Sequence, residues 1–160
     1  MKTDSPTANP RLLAALGYAK RGWRVFPCRP KTKEPATTHG FKDATTDKAT
    51  IIRWWRRMPA ANVAIATGAV SGLVVLDVDP RNGGRRSLAE LERVHGSLPE
   101  TPRVSTGGDG EHFYFAAPTD VSLKSGVLAE GLDVKADGGY VIAPPSLHPS
   151  GRRYRWDVGR

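Results

Sequence analysis

Leu73-Val74-Val75-Leu76-Asp77-Val78-Asp79 is a short apolar run, rich in β-branched residues, that ends in two carboxylates spaced two apart just before Pro80. Such a run reads as a buried strand. Side chains two apart on a strand share a face, so Asp77 and Asp79 point one way while Leu76 and Val78 point into a core. Two like charges side by side at the edge of a hydrophobic sheet are costly unless a cation lies between them. Hard divalent cations such as Mg²⁺ prefer carboxylate oxygens, typically one or two of them together with substrate phosphates. The pair is the first pointer to function, although a strand running out into a polar turn would leave the same residues.

Upstream of this strand, Asn9 can cap a helix with Pro10 in its first turn, and Leu12, Leu13, Leu16 and Ala19 recur at helical spacing until Gly22 stops them. Trp23-Arg24-Val25-Phe26 reads as a strand, and residues 27–45, with Pro27, Pro30 and Pro35, as a long irregular loop. Thr46 can cap a second helix in which Ile51, Trp54, Trp55 and Met58 form one apolar face and Arg53, Arg56 and Arg57 lie off it. The paired tryptophans are read as core. Val63–Ala66 is a short strand closed by Gly68. Downstream, a Gly83-Gly84 turn leads to a helix over 87–95, and short strands are expected at 103–105, 111–116, 131–135, 139–143 and 152–156. Helix–strand units followed mostly by strands imply one α/β or α+β domain over residues 10–160, behind a flexible leader at 1–9.

A chain of 160 residues can bury a real core within one domain. Its net charge of +8 is gathered into clusters: Arg29, Lys31 and Lys33; Arg53, Arg56 and Arg57; Arg81, Arg85 and Arg86; Arg152, Arg153 and Arg155. That balance favours polyanionic partners, nucleic acid first. Cys28 is the only cysteine, which excludes an intramolecular disulfide and a cysteine-built zinc site and fits a reducing compartment. Nothing resembles a signal peptide or a membrane span, so a cytoplasmic location is expected.

Two further segments carry chemistry. In Ser105-Thr106-Gly107-Gly108-Asp109-Gly110-Glu111-His112-Phe113-Tyr114-Phe115 a glycine-rich turn joins two strands. His112 and Tyr114 face opposite to Phe113 and Phe115, which leaves His112 on the working face. Glycine turns let backbone N–H groups approach phosphate, with Ser105 and Thr106 as extra donors. An ordinary hairpin with an exposed histidine fits the same residues. The other segment is Gly131-Leu132-Asp133-Val134-Lys135, followed by Gly138-Gly139-Tyr140-Val141-Ile142-Ala143-Pro144-Pro145-Ser146. Leu132 and Val134 face one side and Asp133 and Lys135 the other, so Asp133 is a third carboxylate, suited to completing a two-metal site where it meets Asp77 and Asp79. His39, His95 and His148 are read as solvent-facing.

The order Asp-x-Asp, then Ser with a histidine hairpin, then Leu-Asp resembles the three motifs of the archaeo-eukaryotic primase superfamily. More narrowly, the chain resembles the bifunctional DNA primase/polymerase N-terminal domain found on plasmids, phages and integrated elements. Ala19 through Pro27, Pro30 through Pro35, Trp54, Asn62 through Gly68 and Gly138 through Ser146 support the match, which runs from about residue 11 to 156.

The resemblance implies an RRM-like, mostly antiparallel catalytic sheet with an additional N-terminal α/β unit. It implies that Asp77, Asp79 and Asp133 hold two Mg²⁺ or Mn²⁺ ions, and that His112, with Ser105, contacts the phosphates of an incoming nucleotide. Thr106 and Gly107 of the same turn, together with Lys135, Lys31 and Lys33, complete the expected nucleotide contacts. The expected partners are nucleoside triphosphates, single-stranded or primed DNA, and a helicase domain or partner outside this chain, with no membrane. Relatives carrying a zinc insertion and a helical bundle differ from this chain, so no zinc is expected and unaided primer initiation is in question. The rival readings are a non-catalytic RRM-like module that binds single strands and a metal-dependent phosphohydrolase using the same carboxylates.

Overall fold

The computed structural model describes residues 9–157; the leader expected at 1–9 lies outside them apart from Asn9, as do residues 158–160. Helix α1 (Pro10–Lys20) starts where the sequence places it, with the Asn9 side chain accepting from the Arg11 N–H. Its buried face is Leu12, Ala15 and Tyr18, whereas Leu13 is exposed. Strand β1 (Val25–Cys28) runs two residues further than expected, through Pro27. A proline is tolerated there because β1 is an edge strand. The 27–45 stretch is not irregular throughout: Cys28 bridges to Pro35, Val25 bridges to Thr45, and Gly40–Asp43 forms a 3-10 turn.

Helix α2 (Lys48–Arg57) is capped by Asp47 instead of Thr46, its carboxylate accepting from the Thr50 N–H at 3.0 Å. A carboxylate at that end also meets the positive pole of the helix dipole. Trp55 is fully buried and donates from Nε1 to the Ala61 carbonyl, and Trp54 packs beside it half-buried, so the pair belongs to the core.

Strands β2 (Asn62–Ala66) and β3 (Leu73–Val78) precede α3 (Gly84–His95), which starts a turn earlier than expected because Gly83 is its cap. Then come β4 (Arg103–Ser105), β5 (Glu111–Ala116), β6 (Gly126–Ala129), β7 (Leu132–Lys135), β8 (Tyr140–Ala143) and β9 (Arg155–Trp156). Strand β6 is not legible in the sequence. It is an outer strand with a bulge between Val127 and Ala129, and Val127 and Leu128 are exposed, so no alternation of apolar and polar residues marks it.

Two antiparallel sheets result, ordered β1-β2-β8 and β6-β7-β3-β5-β4-β9. The additional α/β unit is thus not purely N-terminal, since β8, from late in the chain, completes its sheet. Within the larger sheet, β3, α3, β4, β5 and β7 follow a βαββ…β course, and residues 117–131, with β6, stand where a βαββαβ unit has its second helix. The whole is a single α+β domain.

One face of the larger sheet packs Leu73, Val75, Val104 and Tyr114 into the main core with α1, α2 and the smaller sheet. The other face packs Leu76, Val78, Phe113 and Phe115 against Leu88 and Leu91 of α3, as the alternation along β3 requires. Among the described residues no helix is long and apolar enough to cross a membrane.

Candidate active site

β3 is the strand on which the site is built, because it lies between β7 and β5. The antiparallel register sets Asp77 directly opposite Asp133 on one side and His112 on the other. Directly opposed residues share a face, so Asp133, Asp77 and His112 form one row across three strands. The row lies at the end of the inner face where apolar packing stops. It heads a cleft of about 470 Å³ also lined by Asp79, Lys33, Arg81, Asn82, Lys135, His148 and Tyr154.

Asp77 retains about a quarter of its side-chain exposure, whereas His112 is buried at 6 %. His112 Nε2 lies 3.5 Å from Asp77 Oδ1. Burial acts to raise the Asp77 carboxyl, but contact with His112 and the charges of His112, Lys33 and Lys135 outweigh it and hold the group below the usual carboxylate range. The histidine therefore faces its neighbouring carboxylate, and its Nδ1 is buried without a hydrogen-bond partner among the described residues.

Asp79 is the first residue beyond β3, and it lines the same cleft as Asp77, as expected. Its carboxylate caps the 3-10 turn Pro80–Asn82, accepting from the Arg81 N–H at 3.0 Å and from Asn82 Nδ2 at 2.6 Å. Asp133 is more open and lies 4.0 Å from Lys135 Nζ. Among the described residues, no three His, Cys, Asp or Glu side chains converge as a ready-made cation cage. The donor set nevertheless fits a hard divalent ion that completes its shell with substrate phosphates: two opposed carboxylates, a third on the same cleft, and no cysteine.

The glycine turn is drawn inward. Thr106 N–H donates to Gly110 O, and Thr106 Oγ1 accepts from the Gly110 N–H at 3.1 Å and the Gly108 N–H at 3.4 Å. Two of the amides expected to face phosphate are thus spent on Thr106, which acts as the brace of the turn. Gly110 is required by close approach, since a Cβ there would sit 2.9 Å from Val78 O. Gly107 is buried against the His148 side chain.

Of the expected nucleotide contacts, His112, Thr106, Lys33 and Lys135 line the cleft. Ser105 does not: it points to the other side of the sheet, 3.3 Å from Asp157. The period-2 alternation that brings His112 in turns Ser105 out, because Ser105 lies opposite Glu111. Lys31 does not reach the cleft either; it sits at the tip of its turn in the left-handed region (φ 57°).

Four polar cleft residues carry no role in the sequence reading, Asn82 among them. Arg81 enters the sequence reading only as one charge of the Arg81, Arg85 and Arg86 cluster. Tyr154 is buried, and its phenol is pushed well above the usual range by burial, then by Asp77 and Cys28. His148 corrects the solvent-facing expectation: it is half-buried in the cleft wall, and burial followed by Lys33, Arg81 and Arg152 pushes its imidazole below the ordinary value. His39 and His95 are exposed as expected. Only its spacing of two from Ser146, at the end of the Gly-Gly…Pro-Pro-Ser stretch, could have drawn attention to His148 beforehand.

No curated protein sequence matches the chain. The bifunctional DNA primase/polymerase N-terminal family matches residues 15–160, a span that contains every residue of the cleft. With the motif order, the α+β fold and the carboxylate–histidine row already in place, this chain belongs to the bifunctional DNA primase/polymerase N-terminal family.

Proposed function

We propose that the chain is a template-directed nucleotidyltransferase that adds nucleotides to a primer or initiating nucleotide on single-stranded DNA. The observation that carries this reading is the Asp133–Asp77–His112 row at the head of a cleft walled by Lys33, Arg81 and Lys135. Bound by Asp77 and Asp133, with Asp79 beside them, Mg²⁺ or Mn²⁺ would supply Lewis-acid stabilisation of the phosphates and acidify a 3′-hydroxyl.

The chain's own residues prepare that chemistry. Asp77 is kept ionised, so it presents negative charge to a cation at any pH above the acid range. His112, directly opposite it on β5, fixes the direction of its carboxylate. Lys33, Arg81 and Lys135 draw the triphosphate into the cleft and leave its charge paired. Tyr154 keeps its proton and remains a donor. Catalysis in such a site is chiefly positioning and charge stabilisation.

The single-strand-binding alternative expects aromatic side chains on the working face. Tyr18, Trp23, Tyr114 and Trp156 instead pack on one another toward the far end of the sheet, where they line a separate groove with no carboxylate.

The test is incorporation of labelled nucleotides on single-stranded template, with and without primer, in Mg²⁺ and in Mn²⁺, beside Asp77→Asn. Metal-dependent extension with pyrophosphate release, lost in the variant, is expected. Release of free phosphate or nucleoside monophosphate without extension would make the protein a phosphohydrolase. DNA binding that persists in EDTA without any turnover would make it a binding module.

A further inference from the structure

His148 has no part in the motif set, yet hydrogen bonds hold both its backbone and its ring in the cleft wall. Its backbone is held on both sides: His148 N–H donates to Arg152 O at 2.8 Å and Gly151 N–H to His148 O at 2.8 Å. The preceding residue is clamped by Asn62, whose Oδ1 accepts from Leu147 N–H and whose Nδ2 donates to Leu147 O. The ring itself is fixed by Ser150, whose backbone N–H donates to His148 Nδ1 at 3.1 Å.

A backbone N–H cannot rotate its hydrogen away, so Nδ1 must be the acceptor. The Ser150 hydroxyl, 2.9 Å from Nδ1 and 2.8 Å from Gly107 O, has one hydrogen to give to either. In a neutral imidazole with Nδ1 as acceptor, Nε2 carries the hydrogen. That nitrogen has no hydrogen-bond partner among the described residues, and it lies beside Gly108, where a Cβ would come within 2.9 Å of it. Both His148 and Gly108 line the cleft, with Lys33, Arg81 and Lys135 around it. A ring nitrogen that bears a hydrogen has no lone pair for a cation, so this tautomer also excludes His148 as a metal ligand.

We propose that His148 is a phosphate-binding residue of this cleft, its Nε2–H a preset donor to the triphosphate of the nucleotide. The inference rests on the nucleotidyltransferase reading and adds a contact that the sequence motifs do not supply. The surrounding cations attract the anionic ligand, and burial, followed by Lys33, Arg81 and Arg152, lowers the imidazole from its ordinary value, in the same direction as the neutral tautomer that Ser150 accepts. Glycines at 107 and 108 let the turn lie directly against the ring, so ring and turn form one continuous wall for a phosphate chain.

The test is calorimetric binding of inorganic tripolyphosphate and of dATP, both in Mg²⁺, to wild type, His148→Asn and His148→Gln. Asn can occupy the Nδ1 position and keep the Ser150 contact while losing the outer donor, whereas Gln can place an N–H near the Nε2 position. Expected is a loss of about tenfold or more in affinity for both ligands in His148→Asn, with His148→Gln much closer to wild type. Nitrogen-15 NMR of the wild-type ring should show the Nε2–H form, with that resonance moving on addition of tripolyphosphate. Equal binding by His148→Asn and wild type overturns the proposal, as does an Nδ1–H ring. Equal weakening in both variants with an unmoved Nε2 resonance makes His148 only a support for the turn and also overturns it. Failure of wild type to bind either ligand overturns the nucleotidyltransferase reading itself, and this proposal with it.

Discussion

The buried side chain of Asn62 forms a two-way clasp with the backbone of Leu147: its Oδ1 accepts from the Leu147 N–H at 3.0 Å and its Nδ2 donates to the Leu147 carbonyl at 2.8 Å. The second hydrogen of the same amide goes to Thr32 O at 3.0 Å. One asparagine on β2 thereby joins the loop that carries Lys33 to the loop that carries His148. Replacing it with alanine leaves three part-buried backbone groups without this partner. Asn62→Ala should cost about 1–3 kcal/mol of stability, read by chemical denaturation, and weaken triphosphate binding by loosening both loops. Unchanged binding in a destabilised variant would show that the loops hold their geometry without the clasp.

Asp79 performs two tasks that can be separated. Its carboxylate caps the turn after β3, and its charge faces the cleft. Asparagine caps about as well as aspartate but carries no charge. Asp79→Asn should therefore melt within about 0.5 kcal/mol of wild type. Nucleotide incorporation should fall on the order of a hundredfold, as for loss of one electrostatic element of an active site. A variant that keeps full turnover would assign Asp79 to the cap alone.

Gly84 packs backbone against backbone. A Cβ there would lie 2.5 Å from Gly131 O and 2.6 Å from Asp79 O, and the Asp79 N–H also donates to Gly131 O. Gly84→Ala should thus separate α3 from the segments bearing Asp79 and Asp133, costing about 1–3 kcal/mol. Activity should drop together with stability, since both carboxylates hang from the displaced backbone. Thermal melts and incorporation assays on the same preparation check this. A stable variant of normal activity would show that the contact yields without moving the site.

Asp77 gives a pH dependence of defined sign. Its folded-state carboxyl lies below the usual value: burial alone would raise it, and the His112 contact with the neighbouring cations more than reverses that. A group depressed on folding stabilises the protein above its unfolded-state value, about 4, and loses that contribution as pH falls through the folded value. In cation-free buffer, denaturation curves from about pH 7 down to about pH 3 should show wild-type stability falling in acid, with a shallower fall in Asp77→Asn. Parallel curves for the two proteins would show that the pairing adds nothing.

Local pattern made much of this protein legible. The run from Leu73 to Asp79 specifies a strand with apolar residues to one side and carboxylates to the other, because side-chain direction in a strand alternates whatever lies next to it. The same period separates His112 from Phe113, and the 3.6-residue period buries Leu12, Ile51 and Trp55. An outer strand carries no such mark: β6 exposes Val127 and Leu128, so solvent removes the alternation that would reveal it. The place of Pro27 within β1 likewise depends on there being no strand on its outer side to need its N–H.

The sequence by itself determined which residues carry charge and which face of each strand they occupy, because both follow from residue type and backbone period. Only the tertiary structure decided that Asp133 lies opposite Asp77, that Ser105 turns away toward Asp157, and that His148 stands in the cleft wall. Strand register and loop packing depend on contacts between segments tens of residues apart, and no local propensity encodes them.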